Sequence, residues 1–299
     1  MDLPLYRIYQ EELARLIQSK VKEEGFLKTS IDSLSLYKAT QPSEFLNIMY
    51  EPSICIIAQG SKAVGLNDEM LSYNSYSYLL ASVHLPARVK IQEASKENPY
   101  LSLKLTFSME QIFDVIKNID DKNINFTAGT TRGLCISDMS IKLLEPILRL
   151  IRLLESPSDI PVLSPLIIKE ILYIIIRDRG GDFIRQYIKD GSAAQRVASA
   201  IAKIKHDLKE DIDIQALAKS IGMSESSLYH HFKKITMMSP LQFQKNLRLQ
   251  EARQMLLTQD IEASQVAFEV GYESPSQFSR EYSRMFGLPP KTHIRNLRN

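Results

Sequence analysis

Hydrophobic and polar positions change their spacing several times along this chain, and each change marks a new kind of element. Residues 5–24 carry apolar side chains at helical intervals and predict an amphipathic leading helix. From about Ser35 to Met109 the period drops to two. Strands are predicted at 53–58, 70–73, 78–82, 88–94 and 101–107, cut by turn signals at Glu51-Pro52, Gln59-Gly60, Asn67-Asp68 and Asn98-Pro99. Short strands so closely spaced imply a small antiparallel barrel or jelly roll, a form that can enclose a ligand pocket. Helical spacing returns at 109–119 and more strongly at 139–155, where Pro146 should kink the helix or restart it. There Leu143, Ile147, Leu150 and Leu154 form one apolar stripe, with Leu144, Leu148 and Ile151 beside it. A helix apolar over so much of its circumference needs two partners. One is its own barrel; the other is either a second subunit or the rest of the same domain. Residues 156–165 hold three prolines and predict a rigid connection to a helix at 166–177, after which Gly180-Gly181 breaks the chain.

The last hundred residues contain a diverged repeat. Ala218, Ile221 and Gly222 recur 49 positions on as Ala267, Val270 and Gly271. After one inserted residue, Ser224, Leu228, Phe232, Lys234 and Pro240 recur at a spacing of 50 as Ser274, Phe278, Tyr282, Arg284 and Pro290. Each copy reads as a short apolar-faced helix, a glycine-centred turn, an N-cap serine and a second helix with apolar residues four apart, which is the pattern of a helix-turn-helix. Between the copies, 241–257 reads as one helix of about 25 Å with Pro240 in its first turn. Together with the width of each unit, that length places two recognition helices about 34 Å apart, one turn of B-DNA.

Charge sharpens this division. The chain of 299 residues carries a net charge of +2, but residues 193–299 hold 15 Lys and Arg against 11 Asp and Glu, while the remainder holds 22 against 24. A mildly basic rear half suits contact with phosphates. Only Cys55 and Cys135 occur, without metal-site spacing, so a reduced, cytoplasmic protein without metal or cofactor is expected. The start of the chain does not read as a secretory signal, and the apolar run at 166–176 is too short, and too charged at Lys169 and Glu170, to cross a membrane.

The rear half resembles the AraC/XylS family of bacterial transcription regulators. The residues that carry the resemblance are Leu217-Ala218, Gly222-Met223-Ser224, Ser227-Leu228, His231-Phe232-Lys233, Ser239-Pro240, Arg248-Leu249, Glu251-Ala252-Arg253, Ala267, Val270-Gly271-Tyr272, Ser279-Arg280, Phe286-Gly287 and Pro289-Pro290. The front half resembles a sensory domain of the same family at Tyr50-Glu51-Pro52-Ser53, Gln59-Gly60, Glu93-Ala94-Ser95, Pro99-Tyr100-Leu101, Leu153-Leu154-Glu155-Ser156-Pro157 and Asp159-Ile160-Pro161-Val162-Leu163. The resemblance implies an α+β protein: a cupin-like antiparallel barrel with flanking dimerisation helices at 1–180, a linker at 181–194, and an all-α DNA-binding domain of two helix-turn-helix units joined by a long helix at 195–299. The implied partners are double-stranded DNA, a second copy of the chain, RNA polymerase and a small-molecule effector, with no membrane. The sequence departs from the family pattern at His230, where relatives often have arginine, and at Met237, where they usually have the glycine favoured at a left-handed helix end.

Base-reading candidates lie on the outward faces of the second helix of each unit: Ser226, Tyr229 and His230, then Ser276, Gln277 and Arg280. Arg280 has the clearest chemistry, because a guanidinium can donate two hydrogen bonds to guanine O6 and N7. Lys233, Lys234, Lys245, Arg248, Arg253, Arg284 and Lys291 are candidates for phosphate contact. An effector pocket in the barrel would draw on Cys55, Tyr76, Tyr78, His84, Arg88 and Lys90. Cys55 is either an inert core residue or a sensor of oxidants or electrophiles. Catalysis is disfavoured: His84 is the one histidine of the barrel region, the others being 206, 230, 231 and 293, and no G-x-S-x-G or G-x-x-x-x-G-K pattern occurs. An alternative assigns the front domain to assembly alone.

Overall fold

The computed structural model describes residues 3–66, 69–116, 119, 133–178, 181, 184, 191–259 and 261–298. Helix α1 (Leu3–Lys20) leads into ten strands: β1 (Gly25–Lys28), β2 (Leu34–Ala39), β3 (Leu46–Tyr50), β4 (Ser53–Gln59), β5 (Ser61–Leu66), β6 (Glu69–Asn74), β7 (Ser77–Ala81), β8 (Leu85–Glu93), β9 (Tyr100–Thr106) and, after α2 (Met109–Ile116), β10 (Leu134–Asp138). All pairings are antiparallel. They form a six-stranded sheet of order β1-β2-β9-β4-β7-β10 and a four-stranded sheet of order β3-β8-β5-β6. The expected barrel is therefore a pair of separate sheets, not closed by hydrogen bonds into a ring.

Period-two patterning shows clearly in β8, whose inward Leu85, Ala87, Val89 and Ile91 are buried. β4 behaves differently: Ser53 to Ala58 are all buried, because this strand is covered on both faces. Helix α1 lies across β2, β4 and β9, and α3 (Ile141–Arg152) packs on α1 and on α4 (Ile160–Arg177). Leu143, Ile147 and Leu150 are each 1% exposed in that layer, and Leu154 packs on it from the 3-10 turn Leu153–Glu155. The stripe proposed for dimerisation thus belongs to the core of its own domain. Both flanks of α3 are satisfied within one chain, by α1 and α4.

Proline positions produced two further differences. Pro146 sits inside an uninterrupted α3, and α4 begins at Ile160, six residues before the predicted start, carrying Pro161 in its first turn and Pro165 inside. Pro161, second in its helix, falls where backbone N–H groups lack intrahelical acceptors and so removes little, whereas Pro146 and Pro165, each sixth, give up one backbone hydrogen bond apiece. The expected linker falls largely on 182–183 and 185–190, outside the described residues.

The rear half comprises α5 (Ala193–His206), α6 (Ile214–Ser220), α7 (Glu225–Thr236), α8 (Pro240–Thr258), α9 (Ala263–Glu269), α10 (Pro275–Phe286) and α11 (Pro290–Arg298). The repeat is reproduced element by element: α6 and α9 start 49 positions apart, α7 and α10 start 50 apart, and so do α8 and α11. The turns need glycine. Gly222 and Gly271 adopt φ of +67° and +90°, and a Cβ on Gly271 would stand 2.4 Å from the Lys209 carbonyl oxygen. Leu228, Phe232 and Phe243 fill the first unit, Val266, Ala267, Phe278 and Tyr282 the second. The first unit's core runs continuously into that of the front domain, whereas the second has a core of its own.

Candidate functional site

Recognition helices are entered the way their sequences predict. Ser224 accepts a hydrogen bond from the Ser227 backbone N–H at 3.2 Å, and Ser274 from that of Gln277 at 3.3 Å, so each helix starts on a serine cap. Their ends differ. Gly287 closes α10 with φ +80°, while α7 ends on Met237 at φ +62°, the one non-glycine with positive φ among the described residues.

Burial of Leu228 and Phe232 turns Ser226, Tyr229, His230, Lys233 and Lys234 outward on α7. Burial of Phe278 and Tyr282 likewise turns Ser276, Gln277, Arg280 and Arg284 outward on α10. The intervals of three and four place each set on one helical face. Under the repeat, His230 and Arg280 occupy equivalent positions, 50 apart, as do Lys234 and Arg284. The two faces therefore have the same geometry and different chemistry. The first carries an aromatic ring and an imidazole, the second a guanidinium and an amide. Lys233, Lys234, Arg280 and Arg284 make no ion pair among the described residues.

Several expected phosphate contacts lie elsewhere. Arg248 is 8% exposed and donates from Nε to the Leu208 carbonyl at 2.8 Å and from Nη2 to the Lys209 and Glu210 carbonyls at 2.9 Å each. It ties the loop after α5 to α8, with its guanidinium engaged by that loop. Arg253 lies against the Phe286 ring, 5.5 Å from its centroid, facing the front domain. Lys245 pairs with Glu281 at 3.0 Å, and Lys291 with Glu262 at 2.8 Å. Lys245, Arg253 and Arg284 border a groove of about 690 Å³ between the β3/β8 edge and the second unit, where the Asn47 amide donates to the Met285 carbonyl.

A second feature is a cavity of about 360 Å³ between the sheets. Antiparallel register sets its floor: Ser35, Lys104 and Cys55 are cross-strand neighbours on β2, β9 and β4, with Tyr37 and Ser102 paired in the next row facing inward. Tyr50, Lys62 and Tyr73 close it from the other sheet, Tyr100 from β9, and Gln250 and Arg253 approach from α8. Of the six expected pocket residues only Cys55 lines it. Tyr76 is 47% exposed and stacks on Tyr6, and Tyr78 is buried in the β7 layer. Arg88 and Lys90 lie over the Phe45 ring outside, at 4.7 and 5.5 Å. Burial pushes the Cys55 thiol up, which disfavours the reactive thiolate. Lys62, Tyr50, Tyr73, Tyr100 and Lys104 escaped the sequence reading; the signal available was the alternation Tyr100, Ser102, Lys104 along β9.

His84, the remaining expected pocket residue, belongs to the joint between the halves, where its Nε2 meets Lys205 Nζ of α5 at 2.8 Å. Beside it the Gly133 N–H donates to the carbonyl of Ile235, near the end of α7, at 2.8 Å. Burial first, then the Lys205 charge, lowers the His84 pKa to about 4, against the pull of Glu51. With the joint open, the imidazole returns toward 6.5. The open form then binds more protons at mildly acid pH, so the joint's stability is complete above about 6.5 and is lost as pH falls toward 4. We expect the melting temperature of the full chain to fall between pH 7 and 5, and His84→Gln, which keeps a neutral polar side chain, to flatten that fall. An equal fall in the variant would exclude His84 as its source.

Among the described residues no group of three His, Cys, Asp or Glu is placed to hold a metal ion, and no helix is long and apolar enough to cross a membrane. Comparison with known proteins agrees with this geometry. The family model for the AraC-type transcriptional regulator N-terminus matches residues 30–183, and a helix-turn-helix domain model matches 217–296. The transcriptional regulator GbdR of Pseudomonas aeruginosa strain UCBPP-PA14 is 32% identical over 101 residues, 34% of this chain and 28% of that one. The transcriptional activator RhaS of Escherichia fergusonii is 27% identical over 150 residues, 50% of this chain and 53% of that one. The chain thus spans about half or less of these relatives. Among solved structures, ToxT from Vibrio cholerae strain SCE256 with a bound unsaturated fatty acid aligns over 91% of this chain and 95% of its own, with a TM-score of 0.61 at 13% identity, a likeness of fold.

Proposed function

Because the chain belongs to the AraC-type transcriptional regulators, we propose that it reads double-stranded DNA in a sequence-specific way with α7 and α10, and that a small molecule held between its front sheets governs how those helices are presented. The observation that carries this reading is the pair of equivalent outward faces, one on each unit, with unpaired cations beside polar residues suited to base edges. The 19 residues of α8, about 28 Å long, separate the two faces by a distance compatible with successive major grooves.

The cavity supports the sensing part. It is enclosed by both sheets, is bordered by two residues of the DNA-reading half, and matches the size of small-molecule sites. ToxT, of similar fold, binds small organic acids in its solved structures. A second copy of the chain and RNA polymerase complete the set of partners in this reading. The cytoplasm is its expected place.

Phosphate contact by Lys233 and Lys234 has a measurable signature. Each cation removed from a phosphate should reduce the slope of log affinity against log salt by about 1. Lys233→Gln/Lys234→Gln is expected to weaken binding to all duplexes alike and to lower that slope by about 2. An unchanged slope would move these lysines off the DNA.

A further inference from the structure

Lys62 stands at the wall of the inter-sheet cavity in an unusual state for a lysine. Among the described residues it makes no ion pair and no hydrogen bond; the face of Tyr50 lies 6.0 Å from Nζ to ring centroid. Lys104, the other amine in the cavity, differs in being paired with Glu51 at 2.7 Å. Two more groups are unsatisfied there. The hydroxyl of Tyr50, a residue 3% exposed, has no hydrogen-bond partner, and neither has the buried hydroxyl oxygen of Ser35 across the cavity. The neighbouring Tyr73 hydroxyl is close enough to lower the Tyr50 pKa as a hydrogen-bonding group does, yet it falls outside strict hydrogen-bond geometry. Buried hydroxyls without partners are uncommon in folded proteins and point to a polar atom that the cavity is built to receive. Phe26, Leu46, Ile48, Val89 and Ile91 give the wall its apolar part, beside the polar Ser43, Ser102, Gln250 and Arg253.

We propose that Lys62 is a covalent binding site for an aldehyde carried on an apolar body, formed as an imine within the cavity. The inference rests on the reading that the cavity holds the effector, and it names the effector's chemical class. A carbonyl matches what is left unsatisfied. Its carbon accepts the Lys62 nitrogen lone pair, and its oxygen accepts a hydrogen bond from the Tyr50 hydroxyl. In the addition step the N–C bond forms, the carbonyl π pair moves to oxygen, and the nitrogen's proton is passed to that oxygen. In the second step the C–O bond breaks, the oxygen leaves as water with a second proton from nitrogen, and a C=N bond remains. One aldehyde and one amine give one imine and one water, with no oxidant or reductant.

Electrostatics act in the same direction. Burial lowers the pKa of Lys62 and the Lys104 charge adds to it, opposed by Cys55, so more of this amine is neutral than of an exposed lysine. The same burial raises the Cys55 thiol and quiets it. Tyr50, held well above its usual range by burial, keeps its proton and stays a donor. One desolvated cavity thus selects the amine over the thiol as its nucleophile.

The test treats the full chain at neutral pH with hexanal and cyanoborohydride, which fixes an imine as a stable secondary amine, and maps the label by peptide mass spectrometry. At limiting aldehyde the proposal expects one hexyl group per chain, located on Lys62 and formed at least tenfold faster than on any exposed lysine. Lys62→Arg should remove that fast phase. Label spread evenly over exposed lysines, or a Lys62 left unmodified while they react, would overturn it. Mapping in the unsubstituted protein decides the matter even if the variant folds poorly. Binding of DNA by the same preparation is scored separately, so a failed capture with intact DNA reading rejects the aldehyde and not the regulator.

Discussion

Arg248→Ala is expected to destabilise the protein by about 3 kcal/mol, because charge-assisted hydrogen bonds contribute about 1.5–3 kcal/mol each and three carbonyls lose theirs together. Water can reach part of the vacated site, which keeps the loss below the sum. The Asp211 partner adds little, since its side chain is 86% exposed against 10% for Arg248. Gln244 would keep two ties, from its amide to the Glu210 carbonyl at 2.5 Å and to the Leu208 carbonyl at 3.4 Å, but it does not bond that of Lys209. Arg248→Lys should recover only a fraction, because an ammonium lacks the planar fork that meets several acceptors at once. Thermal or urea unfolding of the full chain measures this directly. If Arg248→Ala keeps its stability and loses only DNA affinity, the residue is a phosphate contact and the placement of its guanidinium is wrong.

The second large effect concerns specificity. Arg280→Ala should lower affinity for the preferred duplex by about 10- to 100-fold, the worth of one good bidentate contact to a base pair. That loss should vanish on a duplex whose corresponding base pair is already changed, because the two alterations remove the same interaction. His230→Ala, at the equivalent place on the first unit, should cost less, since an imidazole offers one donor in a fixed direction where guanidinium offers a fork. Competition binding with the preferred and altered duplexes, in both variants, checks it. A uniform loss across all duplexes for Arg280→Ala would reassign it to a phosphate.

Much of the rear half is legible in the sequence alone. The repeat positions, the glycine turns, the serine caps and the outward faces of α7 and α10 follow from local periodicity and capping, where each residue's role is decided by neighbours within a few positions. The left-handed position at Met237 is legible only through the family resemblance, which implies a glycine there. Arg248 reads wrongly as a phosphate contact because nothing in its own helix reveals three carbonyls some 40 residues earlier in the chain. The stripe on α3 is ambiguous for a similar reason. Periodicity tells which side chains are buried and does not tell whether α4 or another subunit buries them.

Least legible is the cavity. Its residues come from β1, β2, β3, β4, β5, β6, β8, β9 and α8, brought together by register and by the facing of two sheets. Arg88 and Lys90 lie on a contributing strand, β8, but on its other face, while Tyr76 and Tyr78 lie beside and on β7, which gives the cavity no residue. His84 sits at the edge and meets the other half of the molecule. Strand alternation halves the candidates without saying which half faces in. Lys62 stands out only in three dimensions, where its lack of a partner can be seen.

In the proposed function one chain reads DNA with two non-identical helices set one helical turn apart. Selection of bound DNA from a random duplex pool by the full chain tests it most directly. Two enriched blocks about 10 base pairs apart, the one facing α10 richer in guanine contacts, are the predicted result. A single enriched block, or none at any salt concentration, would contradict it.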